Sequence, residues 1–128
     1  MAEVTISVGP DAKFLPLLRT VAASVAARLD FSYDSIDELR LAVHEAGACL
    51  LSEGGIESRL KMKVKAEEEG LDITLSISGT AGRWPPPGLE NTLAWKILAG
   101  LTDSVDFFVE DRLSAIQLRV ARPPGETK

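Results

Sequence analysis

The stretch from Ser35 to Ser52, SIDELRLAVHEAGACLLS, restricts the fold more than any other part of the chain. Ile36, Leu39, Val43, Ala46 and Leu50 recur at three- and four-residue steps, which puts one apolar stripe along a helix. Such a stripe must be covered along its length, so the chain has to build a layered core around it. Ser35 followed by Glu38 fits a capping box, which predicts the helix start there. Gly54-Gly55 supplies the stop. Glu45 and Cys49 stand four residues apart on the flank of the stripe and share one side of the helix.

The material for covering that stripe is easy to find. Leu60 to Ala66, LKMKVKA, alternates strictly, with Leu60, Met62, Val64 and Ala66 inward and Lys61, Lys63 and Lys65 outward. Leu71 to Ser78, LDITLSIS, alternates again after the charged tip Glu67-Glu68-Glu69-Gly70, so the two runs predict an antiparallel hairpin. Glu3 to Val8 reads as a strand and Gly9-Pro10-Asp11 as a turn. From Phe14 to Leu29 the positions Phe14, Leu17, Leu18, Val21, Val25 and Leu29 predict a helical stripe, with Pro16 confined to the first turn. After the proline-rich break Gly79 to Gly88, a helix is expected over Glu90 to Thr102. It has Leu93, Ile97, Leu98 and Leu101 on one side and Asn91 or Thr92 as cap. Val105 to Val109, the tight turn Asp111-Arg112 and Leu113 to Val120 form a second hairpin, with Ile116, Leu118 and Val120 inward. Residues 1–122 are expected to be one domain and 123–128 a disordered tail.

Composition narrows the function. Of the 128 residues 45% are hydrophobic and 26% charged, an ordinary globular balance. No apolar run reaches membrane-spanning length, and the start of the chain has no signal-peptide pattern. One cysteine and one histidine make a structural zinc site or an internal disulfide unexpected, so no metal site is assigned and a cytoplasmic location is expected. The net charge of −5, without a Lys/Arg cluster, argues against direct nucleic-acid binding. The expected fold class is α+β, a mostly antiparallel mixed sheet with helices on one face.

Arg19 to Ser24 (RTVAAS), Leu29-Asp30, Glu38 to Ala46 (ELRLAVHEA) and Leu93 to Phe108 (LAWKILAGLTDSVDFF) together resemble the anti-sigma regulatory factors. These are small members of the histidine-kinase-like ATPase family, and the likeness is to their actinobacterial branch. The resemblance covers nearly the whole chain. It implies a two-layer sandwich and serine-kinase ancestry. It also implies partnership with a stress- or development-type sigma factor and an anti-anti-sigma protein, and a homodimer.

The resemblance also implies a nucleotide site with ATP and magnesium, and the matching positions depart from the pattern. The family's Glu-x-x-x-Asn becomes Glu45 with Cys49, a soft neutral thiol where magnesium needs hard oxygen. The base-reading Asp-x-Gly-x-Gly becomes Ser78-Gly79-Thr80-Ala81-Gly82, in which Ser78 carries no charge. The glycines at the start of the penultimate helix become Thr92 and Ala94, and a Gly-Thr pair becomes Leu113-Ser114. Phosphoryl transfer rests on the metal and on donor positioning. The resemblance therefore implies a retained fold without kinase activity and with no cofactor. Glu45 is then either a relict base or a salt-bridged flank residue.

Arg19 matches an arginine with which the family engages the sigma factor and its antagonist, or it is a solvated helix residue. Leu15 and Ala22 are expected to share its face. Arg83 and Trp84 are either a partner anchor or, for the tryptophan, a plug over the core. Trp95 falls off its helix stripe and packs against the loop or joins an interface. Cys49 reads as a small buried hydrophobe and His44 as a surface residue. The leading expectation is a sigma-sequestering anti-sigma factor. An active serine kinase and an adaptor for anti-anti-sigma-like domains alone are the alternatives.

Overall fold

A computed structural model describes residues 3–79 and 84–122 of the chain. Thr80, Ala81, Gly82 and Arg83, and the expected tail 123–128, lie outside the described residues. Five strands form one sheet: β1 (Glu3–Val8), β2 (Leu60–Glu67), β3 (Gly70–Ile77), β4 (Ser104–Glu110) and β5 (Leu113–Ala121). Their spatial order is β1-β2-β3-β5-β4 and every pairing is antiparallel, so the sheet is not mixed. Helices α1 (Leu15–Arg28), α2 (Tyr33–Leu51) and α3 (Leu93–Leu101) cover one face.

The alternation in the strands fixes that face. Leu60, Met62 and Val64 on β2, Ile73, Leu75 and Ile77 on β3, and Ile116 and Leu118 on β5 are fully buried against the helix layer. Lys61, Lys63 and Lys65 project to the opposite side. The central strand β3 departs from a half-exposed pattern, because Asp72 and Ser76 on its polar side are buried as well. Long side chains of the flanking strands shield it. Gln117 Nε2 donates to both Asp72 carboxylate oxygens at 3.0 Å, and Arg119 Nε approaches one of them at 3.3 Å. The Asp111-Arg112 turn has both residues at positive φ, as a two-residue hairpin of this hand requires.

The helices form where expected, and the α2 stripe Leu39, Val43, Ala46 and Leu50 is buried as read, but the α2 cap and the phases of α1 and α3 differ. The cap of α2 is Ser32, whose Oγ accepts from the Ser35 N–H at 3.1 Å, not Ser35 with Glu38. On α1 the buried side is Leu15, Leu18, Ala22, Ala23 and Ala26, while Leu17 is exposed and Val21 and Val25 are only half-buried. Close helix packing accounts for this. A side chain at Gly47 of α2 would lie 2.6 Å from Leu15 Cδ2, so α1 meets α2 through small residues and leaves its valines toward the sheet edge. On α3 the predicted Leu93 is 74% exposed, and Trp95 takes the core seat instead, edge-on to Phe107 with ring centroids 5.1 Å apart. Thr92 caps this helix, accepting from the Trp95 N–H at 3.2 Å, and the large indole goes where the most apolar area is buried.

Candidate functional site

The flank of α2 that carries Glu45 and Cys49 lies nearly opposite the side on which Leu15 of α1 meets Gly47. α3 packs on the same helix. Glu45 and Cys49 are both half-buried. Burial pushes the Cys49 thiol above its ordinary value, and the nearby negative charges of Glu45 and then Glu53 push it further the same way. The thiol is therefore protonated at neutral pH and is a weak nucleophile. Alkylation of Cys49 is expected to be slower than that of an exposed thiol, and Glu45→Gln to speed it modestly; a thiol-labelling time course checks both. The folded thiol titrates above the unfolded one, so its contribution to stability is complete below the unfolded pKa and is lost as pH rises through the folded pKa.

The end of β3 is stitched to the loop between α2 and β2. Ser78 Oγ accepts from the Arg59 N–H at 2.9 Å, and the Ser78 N–H donates to the Arg59 carbonyl at 3.2 Å. One residue on, Gly79 has φ +67°, a left-handed conformation that favours glycine. Ser58, only 2% exposed, accepts from the Gly55 N–H at 2.7 Å. A side chain at Gly54 would meet Ile77 Cδ1 at 2.5 Å, so this loop lies directly on β3. Ser58 and Gly54 were not visible as site residues in the sequence; the Gly54-Gly55 pair three residues before a lone serine was their only trace.

Thr92 is committed to the helix start. Its Oγ1 donates to the Leu89 carbonyl at 2.7 Å and accepts from Trp95. Ala94 follows half-buried and adds only a methyl. Thr80, Gly82 and Arg83 fall outside the described residues.

The surface group assembles only in part. Arg19 is half-buried and forms no ion pair among the described residues. Leu15 and Ala22 do not share its surface: they are 2% and 0% exposed and belong to the core, because the tight α1–α2 packing turns that diagonal inward. Trp84 is likewise 8% exposed and donates its Nε1–H to the Ala115 carbonyl at 3.3 Å, which is the plug arrangement and not a surface anchor. His44 is half-buried rather than on the surface, and its Nδ1 is sealed without a hydrogen-bond partner among the described residues. No helix among the described residues is long and apolar enough to cross a membrane.

No protein-family model matches the chain. It is 26% identical over 109 residues to the anti-sigma-F factor RsbW of two Mycobacterium tuberculosis strains. The match takes in 85% of this chain and 63% of those proteins, so the chain spans less than two thirds of the length of the relatives it matches. Among solved structures, the RsbU and RsbW domains of Rv1364c from Mycobacterium tuberculosis superpose with a TM-score of 0.73. That likeness covers 96% of this chain and 34% of that one at 10% identity, and it is one of fold. The resemblance read in the sequence therefore meets RsbW-type proteins by two routes. The two-layer α+β architecture it implied, helices on one face of a sheet, is the one found.

Proposed function

We propose that this chain, RsbW-like in sequence and in fold, is an anti-sigma factor that works by occlusion and not by phosphoryl transfer. It holds an alternative sigma factor through the surface around Arg19 and gives it up to an anti-anti-sigma protein in the cytoplasm. The charge of −5 suits a basic partner and speeds encounter. One observation carries the loss of kinase activity. Three described side chains that stand at positions matching the family's nucleotide site, Ser78, Thr92 and Cys49, are engaged in the scaffold or chemically unsuited. Ser78 Oγ takes the Arg59 N–H, Thr92 caps α3, and Cys49 is a protonated thiol beside Glu45. That set does not fit magnesium, which needs hard oxygens in octahedral geometry.

Titration calorimetry with magnesium-ATP is expected to show no binding up to about 100 µM, a range in which a working nucleotide site gives a clear isotherm. Micromolar binding would overturn the reading. Glu45 is the observation that favours the alternative, a serine kinase acting on the anti-anti-sigma protein, since it is in place on α2. Incubation with ATP and an anti-anti-sigma domain, followed by detection of phosphoserine, separates the two.

A further inference from the structure

We infer that the open face of the sheet, opposite the helices, binds a small flat aromatic acid, with its ring over Ala115 against Phe108 and its carboxylate over Ser76 beside Lys61 and Lys63. A cleft of about 270 Å³ lies on that face, and all five residues line it. The strand register brings them together. Lys61 pairs with Ser76, Ser76 with Ala115, and Ala115 with Phe108, so β2, β3, β5 and β4 each give one residue to a single row across the sheet. The two outer members of the row are long and the two inner ones short. Three strand spacings of about 4.8 Å set the walls about 14 Å apart at the backbone, a width that suits one small planar molecule.

The two ends of the cleft differ in chemistry. At the β2 end Lys61 forms no ion pair among the described residues, and Lys63 has only a loose one with Glu3 at 3.9 Å, both side chains about half exposed. Ser76 is 5% exposed, yet its hydroxyl makes no hydrogen bond among the described residues. A nearly buried hydroxyl without a partner is unusual in a folded protein and calls for an acceptor or donor from outside. Thr74, in the next row and paired with Lys63, also has its hydroxyl unpartnered among the described residues. Two ammonium groups and two hydroxyls therefore stand at one end, a donor set that suits a carboxylate.

The other end is apolar, walled by Phe108 and Leu113 over the floor of Ala115. A ring lying there gains an aromatic neighbour and covers apolar surface. Two carboxylates also line the cleft, and neither opposes this orientation. Asp72 is engaged by Gln117 Nε2 at 3.0 Å and Arg119 Nε at 3.3 Å. Glu110 stands on the Phe108 wall and so repels an anionic head toward the lysines. A simple anion leaves Phe108 uncovered, and a neutral ring leaves the hydroxyls and lysines unused. An aromatic acid uses both ends. The cleft lies across the sheet from α2 and α3, so the inference rests on neither the anti-sigma reading nor the state of the nucleotide site.

The test follows backbone amide shifts of the full chain by NMR while 2-naphthoate is added at low salt. Shifts centred on Ser76, Ala115 and Phe108 are expected, with a Kd of about 0.1–1 mM, as befits a shallow site and a ligand of about a dozen heavy atoms. Naphthalene-2-methanol, which has the rings without the charge, and acetate, which has the charge without the rings, are each expected to bind at least about tenfold more weakly. Lys61→Ala with Lys63→Ala is expected to weaken 2-naphthoate about tenfold, whereas Lys96→Ala on α3 leaves it unchanged. Ala115→Leu fills the floor and is expected to abolish binding with both lysines in place. If Ala115→Leu fails to fold, the exposed lysine pair and the two analogues still decide. The inference is overturned by no shift up to about 5 mM, by shifts centred on the helix face, by equal binding of either analogue, or by undiminished binding in the double lysine variant.

Discussion

Replacing Arg19 by glutamate is expected to weaken capture of the sigma factor by about 100-fold or more, roughly 2.7 kcal/mol, with no change in the melting temperature. Under the proposed function, in which Arg19 meets an acceptor of the sigma factor, the size comes from removing that guanidinium and setting a carboxylate in its place. The unchanged stability follows from the position. Arg19 is half-buried, and among the described residues it forms no ion pair whose loss the fold would feel. Leu15→Ala provides the contrast. Leu15 is buried against Gly47, so its truncation is expected to cost about 2–4 kcal/mol of stability through the cavity it leaves. Binding of the partner by calorimetry, beside urea denaturation of each variant, separates the roles. Unchanged affinity in Arg19→Glu would take Arg19 out of the interface.

Gly70→Ala is expected to destabilise the protein by about 3 kcal/mol, a large loss for one methyl group. A Cβ on Gly70 would collide with the Val120 carbonyl oxygen and lie 2.9 Å from Ala121 Cα and 3.0 Å from the Arg122 nitrogen. All three are backbone atoms, so no rotamer change relieves the clash. The end of β5 must move away, and with it the Arg122 anchors: its N–H to the Glu69 carbonyl at 2.7 Å and its Nε to the Leu29 carbonyl at 3.1 Å. Gly100→Ala is the control, since nothing lies within 4 Å and a helix position gains propensity; it is expected to stabilise by up to about 1 kcal/mol. Equal midpoints for the two variants in urea would show that the β2–β3 tip does not clamp the sheet.

Those two positions mark the limit of what the chain reveals before it folds. The flank of α2 with Glu45 and Cys49 was legible as a motif, yet the engagement of Ser78 by Arg59 was not, because those residues meet across a loop and a strand. Arg19 could be placed on α1 from its neighbours in sequence, but its companions could not.

The strand content, the two hairpins and the inward face of the sheet were determined by the sequence itself. Period-two alternation leaves one choice of face, and a one-residue slip would bury Lys61, Lys63 and Lys65. The α2 stripe Leu39, Val43, Ala46 and Leu50 was legible too, whereas the phases of α1 and α3 were decided only by tertiary structure. α1 and α3 carry apolar residues around more than one arc, and which arc is buried depends on how closely the neighbouring element approaches. Gly47 let α1 come close enough to seat Leu15 and Ala22 in the core, and the Thr92 cap turned Trp95 onto Phe107. A strand states its inside in its own pattern, whereas a helix with several apolar arcs learns its inside from what packs against it.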